Sequence, residues 1–132
     1  MKNNVIHTQG KRKRAIARAT VKSGKGNVTI NGQSLANYGN ESIRLRISEP
    51  LLLAADIIKK VNVSVNVMGG GANGQADAVR LAIARALVQF DSKLKKTFNE
   101  YDRLLLVADV RRKEVCKPND SKARAKRQKS YR

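Results

Sequence analysis

The chain has 132 residues, which is enough for one domain with a modest core. It carries 28 Lys and Arg residues against 10 acidic residues, a formal net charge of +18, with one Cys and one His, so an intrachain disulfide and a typical structural zinc site are excluded. It has no run of about 18 apolar residues and no secretory signal at its start, so we expect no membrane span and a location in the reducing cytoplasm. We also expect no cofactor.

The N-terminal part predicts strands separated by basic and glycine-rich loops. Residues 5–9 form a short candidate strand, and the basic stretch GKRKR at 10–14 is predicted to be a turn. Residues 15–22 alternate with a period of two, which predicts a strand with Arg18 and Lys22 on its polar face. The stretch SGKGN at 23–27 predicts a hairpin loop, residues 28–30 a returning strand, and Asn31-Gly32 another turn.

The middle of the chain predicts a helix followed by a strand. Ser48-Glu49-Pro50 is typical of a helix start, because Ser is a good N-cap and Glu and Pro suit the first turn. The helix is expected to continue through residues 51–60. Apolar Val61, Val63, Val65 and Val67 then alternate with polar residues, which predicts a strand with one buried face.

Glycines at 69, 70, 71 and 74 form a turn between this strand and a second helix. Asn73 is the predicted N-cap, and Val79, Ile83, Leu87 and Phe90 form the predicted apolar stripe, with Arg85 off it. The spacing Gly-x-Gly-x-x-Gly also matches the dinucleotide-binding fingerprint, but the second strand which that fold requires is missing from residues 91–96. A phosphate seat and a plain turn remain comparable alternatives, and a bound cofactor is the weakest of the three.

The C-terminal part predicts one more short helix and then a basic tail. Residues 91–101 suggest the helix, residues 104–110 are ambiguous, and no apolar periodicity remains after about residue 111. We therefore predict a globular α+β RNA-binding domain at 1–110 and an extended polybasic tail at 111–132, which cannot bury enough apolar surface to fold alone.

The excess positive charge lies at the two ends of the chain. Residues 1–40 hold eight Lys and Arg and no acid, and residues 122–132 hold six, again with no acid. Because this tail lacks Leu, Ile, Phe and Trp, a nucleic acid is a better partner than a membrane surface. His7 and Cys116 are more than 100 residues apart and the carboxylates are scattered, so we expect no enzyme and no small-molecule substrate.

Several blocks of the sequence together resemble one protein family. GGGANGQADAVRLAIARAL at 69–87 resembles the signature of the universal small-subunit ribosomal protein S-nine family. GKRKRAIARATV, GNVTINGQ, EPLLLA and DVRRKE are similar to further blocks of that family and come in the same order. The ending RQKSYR resembles the archaeal and eukaryotic branch.

The resemblance implies a fold and a set of partners. The fold would be α+β, a mixed sheet with helices packed on one face, like the second domain of ribosomal protein S-five, with a left-handed βαβ crossover. The function would be that of a structural constituent of the small ribosomal subunit. It would bind ribosomal RNA in the head of the subunit beside neighbouring ribosomal proteins, and its tail would reach the transfer RNA in the peptidyl site.

The candidate binding residues are cations, the glycine turn and the tail. Those expected on ribosomal RNA are Lys11, Arg12, Lys13, Arg14, Arg18, Lys22, Lys25, Gly69, Gly70, Gly71, Gln75, Arg80, Arg111, Arg112, Lys113, Lys117, Lys122, Arg124, Lys126 and Arg127. Those expected on transfer RNA are Lys129, Ser130, Tyr131 and Arg132.

Simpler alternatives exist for several of these assignments. Arg18 and Lys22 also fit an ordinary solvated strand face, and Arg80 also fits an ion pair with Asp77. A free-standing nucleotide-binding enzyme and an architectural DNA-binding protein are the rival functions.

Overall fold

A mixed β-sheet with helices on one face makes up the part of the chain that the computed structural model describes, residues 4–118 and 123. Within these residues the strands are β1 (Ile6–Arg12), β2 (Ala15–Ser23), β3 (Val28–Ile30), β4 (Gln33–Ser34) and β5 (Val61–Met68). The α-helices are α1 (Glu41–Leu53), α2 (Ala55–Ile58), α3 (Ala72–Phe90) and α4 (Leu94–Tyr101). The predicted α+β class and mixed sheet are confirmed.

The order of the strands across the sheet is β1-β2-β5-β3-β4. Strand β5 is antiparallel to β2 and parallel to β3, so it lies between the two strands that the sequence suggested were a hairpin. The prediction that residues 23–27 form a hairpin loop is therefore wrong. The parallel connection from β3 to β5 passes through α1 and α2, and its left-handedness stays a prediction.

Small side chains on the sheet let α3 approach it closely. The inward residues of β2 are three alanines and one valine, and those of β5 are four valines, all buried. On β1, Gly10 lies directly under α3, because a Cβ on this glycine would come within 2.2 Å of the Ala78 carbonyl oxygen. Each buried valine contributes about 1.5–3 kcal/mol relative to an exposed one, so this layer is the main apolar core.

Helix α1 starts earlier than the sequence suggested. The side chain of Asn40 caps it by accepting a hydrogen bond from the Ile43 backbone N–H at 3.0 Å. Ser48, the predicted N-cap, lies within the helix, and its hydroxyl donates to the Arg44 carbonyl at 2.7 Å. Pro50 is buried inside the same helix rather than in its first turn.

The second half of the chain follows the predicted pattern with shifted boundaries. Helix α3 begins at Ala72 with Gly71 as its N-cap, not Asn73. Its predicted stripe is buried except at Phe90, which is 38 % exposed. Helix α4 occupies the predicted short helix, residues 103–105 form a 3₁₀ turn, and residues 111–116 have no regular secondary structure. Within residues 4–118 and 123, no helix is both long and apolar enough to cross a lipid bilayer.

Candidate nucleic-acid interface

The basic stretch at residues 10–14 is a tight hairpin turn rather than a five-residue loop. Lys11 and Arg12 belong to β1, and Arg12 is directly opposite Ala15, so only Lys13 and Arg14 connect the two strands. Lys13 has a φ of 54°, the left-handed conformation that such short turns require. Both turn side chains are exposed at the end of the sheet.

The glycine turn packs against this basic turn. Gly69 and Gly70 have φ values of 75° and 67°, a region that other residues rarely adopt. A Cβ on Gly69 would come within 2.7 Å of the Arg14 carbonyl oxygen, and one on Gly70 within 3.0 Å of the Ala15 backbone nitrogen. The amide of Gln75 closes the turn by donating to the Gly69 carbonyl at 3.1 Å. Gly69 and Gly70 thus allow the two turns to pack closely, and Gln75 stabilises the glycine turn itself.

Gly71 has a different role from its two neighbours. Its backbone is extended, with φ −99° and ψ 174°, and a Cβ there would meet none of the described atoms within 4 Å. It is the N-cap of α3, it provides no side-chain cap, and the first turn of the helix has no acidic residue. The first-turn N–H groups of a helix lack intrahelical acceptors and carry partial positive charge. An open, uncapped helix start of this kind suits an anion.

The two turns and the segment after residue 110 enclose an open cleft of about 1070 Å³. Fourteen residues line it, of which six are Lys or Arg and one is Glu114. The six cationic residues are Arg12, Lys13, Arg14, Arg111, Arg112 and Lys113. Such a concentration of one charge in a concave surface attracts a polyanion. Eight of the predicted RNA-binding residues therefore meet here, the six cations together with Gly70 and Gly71.

A chain of alternating charges fixes the walls of this cleft. Arg46 of α1 contacts Asp77 of α3 at 3.2 Å, and Asp77 contacts Arg12 of β1 at 3.6 Å. Arg12 also reaches Asp109 at 3.3 Å, and Asp109 binds Arg111 at 2.7 Å. The network ties the start of the C-terminal segment to the sheet and to two helices.

Asp109, which links Arg12 to Arg111 in that network, is a residue that the sequence analysis did not single out. Its carboxylate accepts hydrogen bonds from the guanidinium and the backbone N–H of Arg111, and these bonds, together with the nearby charges of Arg111 and Arg12, hold the Asp109 pKa well below its usual range. The side-chain hydrogen bonding to Asp109, together with the negative charge of that carboxylate, raises the pKa of Arg111. The sequence contains one local indication of this role, because the side chain of an Asp commonly accepts a hydrogen bond from the backbone N–H two residues later, forming an Asx turn.

Arg80 is used inside the fold. Its side chain is 12 % exposed and pairs with Glu49 of α1 and, at 3.1 Å, with Asp102 after α4. The suggested pairing with Asp77 is wrong, because Asp77 is held by two other arginines. Arg80 pairs with two carboxylates and, unlike Arg12, does not line the cleft, so it does not belong to the candidate interface.

The remaining predicted cations do not line this cleft. Lys11 of β1 is paired with Ile16, which places it by strand alternation on the sheet face opposite the helices. Arg18 and Lys22 are exposed on that same face, and Lys25 lies in the loop beyond β2, about 30 Å from the basic turn by strand length. Lys117 contacts Glu114 at 3.7 Å. The tail residues lie outside the described part of the chain; they are Lys122, Arg124, Lys126, Arg127, Lys129, Ser130, Tyr131 and Arg132.

The strand arrangement argues against a dinucleotide site. In the dinucleotide-binding fold, the helix after the glycines leads into a second parallel strand beside the first. Here α3 is followed by α4, and both neighbours of β5 come from earlier in the chain. Among the described residues, no group of three or more His, Cys, Asp and Glu side chains could hold a metal ion.

Comparison with known proteins gives a consistent result. The family model described as "Ribosomal protein S9/S16" matches residues 10–132. The chain is 54 % identical over 129 residues to "Small ribosomal subunit protein uS9" of Thermoplasma volcanium, covering 96 % of this chain and 98 % of that protein. It is 53 % identical to the protein of the same name from Thermoplasma acidophilum over 127 residues, covering 95 % and 98 %. The protein of that name from Pyrobaculum aerophilum is 49 % identical over 130 residues, covering 97 % and 92 %.

Proposed function

Because the chain belongs to the ribosomal protein S9/S16 family, in its archaeal-type branch, we propose that it is a structural constituent of the small ribosomal subunit that binds ribosomal RNA in the subunit head. The observation that carries this proposal is the cleft, in which two basic segments distant in sequence meet the uncapped start of α3. The protein would work in the cytoplasm, beside other ribosomal proteins of the head, without a catalytic role.

The cleft offers two kinds of contact to an RNA backbone. Lys13, Arg14, Arg112 and Lys113 are exposed and can place their charges against phosphates. The first N–H groups of α3 can receive one phosphate directly, and Gly71 leaves the approach to them open. Contacts of this type fix position and orientation on the RNA rather than reading bases.

The basic tail extends the proposal to transfer RNA. Residues 122–132 can span up to roughly 35 Å when extended, far enough to pass between RNA helices. Their arginines can bind phosphates, and Tyr131 can stack on a base or sugar. We assign Lys129, Ser130, Tyr131 and Arg132 to the transfer RNA in the peptidyl site.

Assembly into the subunit tests the first part of the proposal. Purified chain is added to small-subunit reconstitution mixtures and followed through sucrose gradients. The wild type should sediment with the small subunit. A Lys13→Gln/Arg14→Gln variant should occupy fewer particles than a Lys93→Gln/Lys96→Gln control, which removes the same charge from exposed positions at α4. Recovery of the wild type only in free fractions would refute the proposal, and so would tight binding of NAD or ATP in calorimetry.

Removal of the last four residues, 129–132, tests the second part. The truncated chain should enter small subunits as well as the full chain, because the cleft and the N-terminal cations remain. The particles should bind peptidyl-site transfer RNA more weakly. A truncated chain that fails to assemble, or particles with unchanged transfer RNA affinity, would contradict this division of roles.

A further inference from the structure

The face of the sheet that points away from the helices, here called the open face, carries a continuous row of neutral polar side chains. Strand register places Ser34, Thr29, Ser64, Thr20 and His7 side by side in one row across all five strands. Neighbouring strands lie about 4.8 Å apart, so the row is roughly 19 Å long. Within the row, the His7 ring nitrogen Nδ1 lies 3.1 Å from the Thr20 hydroxyl. The row is therefore a line of groups that can both donate and accept hydrogen bonds.

Two exposed cations flank this row on β2. Arg18 lies between Gln9 of β1 and Asn66 of β5, and Lys22 is opposite Asn62 of β5. Within the described part of the chain, neither cation has an acidic neighbour on the face, because the five strand sequences contain no Asp and no Glu. The charges on this face are thus not neutralised by the sheet itself, in contrast to the arginines Arg12 and Arg80 on the helix side.

We propose that the open face docks on the minor groove of a helical segment of RNA, contacting its sugar 2′-hydroxyls and flanking phosphates; this rests on the proposed function. The five strands contain no Phe, Tyr or Trp, and His7, the one aromatic ring on them, already bonds Thr20, so the face offers little area on which unpaired bases could stack. The minor groove of A-form RNA is wide and shallow and displays 2′-hydroxyls, which a flat surface of hydroxyls and amides can contact. Phosphates on either side of the groove then accept from Arg18 and Lys22. The five strands contain no acidic residue that could pair with a basic protein neighbour, and the larger apolar side chains of the face, Ile16 and Met68, lie together at the end next to the basic turn, away from the row.

Charge removal on the open face gives the first test. Arg18→Gln/Lys22→Gln should bind small-subunit ribosomal RNA at least about tenfold more weakly than the wild type, because two charge-assisted hydrogen bonds are lost. The Lys93→Gln/Lys96→Gln control has the same net charge and should lose much less. Equal losses in both variants would overturn the proposal, since they would reflect net charge alone. Thermal unfolding of both variants should match the wild type, because all four positions are exposed.

Directed cleavage gives the second test and identifies what covers the face. Cys116, the single cysteine, is exposed and is replaced by Ser, and one new cysteine is placed at Ser34, the exposed end of the row. An iron chelate attached there should cleave both strands of one RNA helix in reconstituted subunits. The same chelate at Asn99 on α4 serves as the control position and should not cleave that helix.

The outcomes separate this inference from the function on which it rests. If the chain assembles but the Ser34 probe cuts only unpaired loops, or no RNA, then the open face is not a minor-groove surface, while the proposed ribosomal role stands. If the wild-type chain neither binds ribosomal RNA nor enters the subunit, the proposed function fails and this inference fails with it.

Discussion

Replacement of Gly69 by Ala should destabilise the protein through two separable effects. The first is conformational, because Gly69 has a φ of 75° and the left-handed region costs an L-residue about 1–2 kcal/mol. The second is steric, because the new Cβ would lie 2.7 Å from the Arg14 carbonyl oxygen, a backbone atom that cannot rotate away. Overpacking of this kind costs about 1–3 kcal/mol. The expected total is about 2–5 kcal/mol.

A matched glycine isolates the steric part. Gly32 has a φ of 80° in the turn between β3 and β4, and a Cβ there would meet nothing within 4 Å. Gly32→Ala should therefore lose only the conformational part, about 1–2 kcal/mol. Urea unfolding followed by circular dichroism at 222 nm gives both free energies of unfolding. If Gly69→Ala were no less stable than Gly32→Ala, the close packing of the glycine turn on the basic turn would be refuted.

Three further substitutions test the network and the start of α3. Arg80→Ala should lower the free energy of unfolding by about 1–3 kcal/mol, because its carboxylate partners lose charge-assisted hydrogen bonds. Unchanged stability with a large change in the salt dependence of RNA binding would contradict the assignment of Arg80 to ion pairs inside the fold. Asp109→Asn should make the stability of the fold less sensitive to acid. Because Arg111 lowers the Asp109 pKa, the ionised carboxylate stabilises the fold fully above about pH 4, and this stabilisation is lost as the pH falls further. The melting temperature of wild type should thus fall more between pH 5 and pH 3 than that of the variant, and parallel curves would speak against the pairing. Gly71→Ser should keep or slightly raise the stability of the fold, because the serine hydroxyl can cap α3. It should weaken RNA binding, because the hydroxyl would then occupy a backbone N–H that we assign to phosphate. Unchanged RNA binding would exclude a phosphate site at the start of α3.

Periodicity predicted the elements of the sheet but not their neighbours. The alternation in residues 15–22 and in the valines of β5 is local, so both strands and their buried faces could be predicted. The insertion of β5 between β2 and β3 depends on pairs that are 35 residues apart for β3 and 38 to 52 residues apart for β2, and the loop at residues 23–27 gives no indication of them. The predicted start of α1 is too late because Ser48, Glu49 and Pro50 resemble a first turn, whereas Asn40 caps the helix eight residues before Ser48.

The candidate site was predicted in composition and only partly in geometry. Charge and glycine spacing singled out the basic turn, the start of α3 and residues 111–113, and these do lie together in one cleft. Sequence could not separate the surface cations from those used internally, because the acids that neutralise Arg12 and Arg80 come from other elements of the fold. Gly69 and Gly71 look equivalent in the sequence, yet one packs against backbone and the other faces the open cleft.

Salt titration of binding to purified small-subunit ribosomal RNA tests the central claim most directly. The slope of log affinity against log salt falls by about 0.7–0.9 for each phosphate that the protein neutralises. The wild type should give a steep slope, and Lys13→Gln/Arg14→Gln should reduce it by about 1.4–1.8, while Lys93→Gln/Lys96→Gln leaves it nearly unchanged. A flat titration for the wild type, or equal slopes for the two double variants, would contradict the assignment of the cleft to RNA.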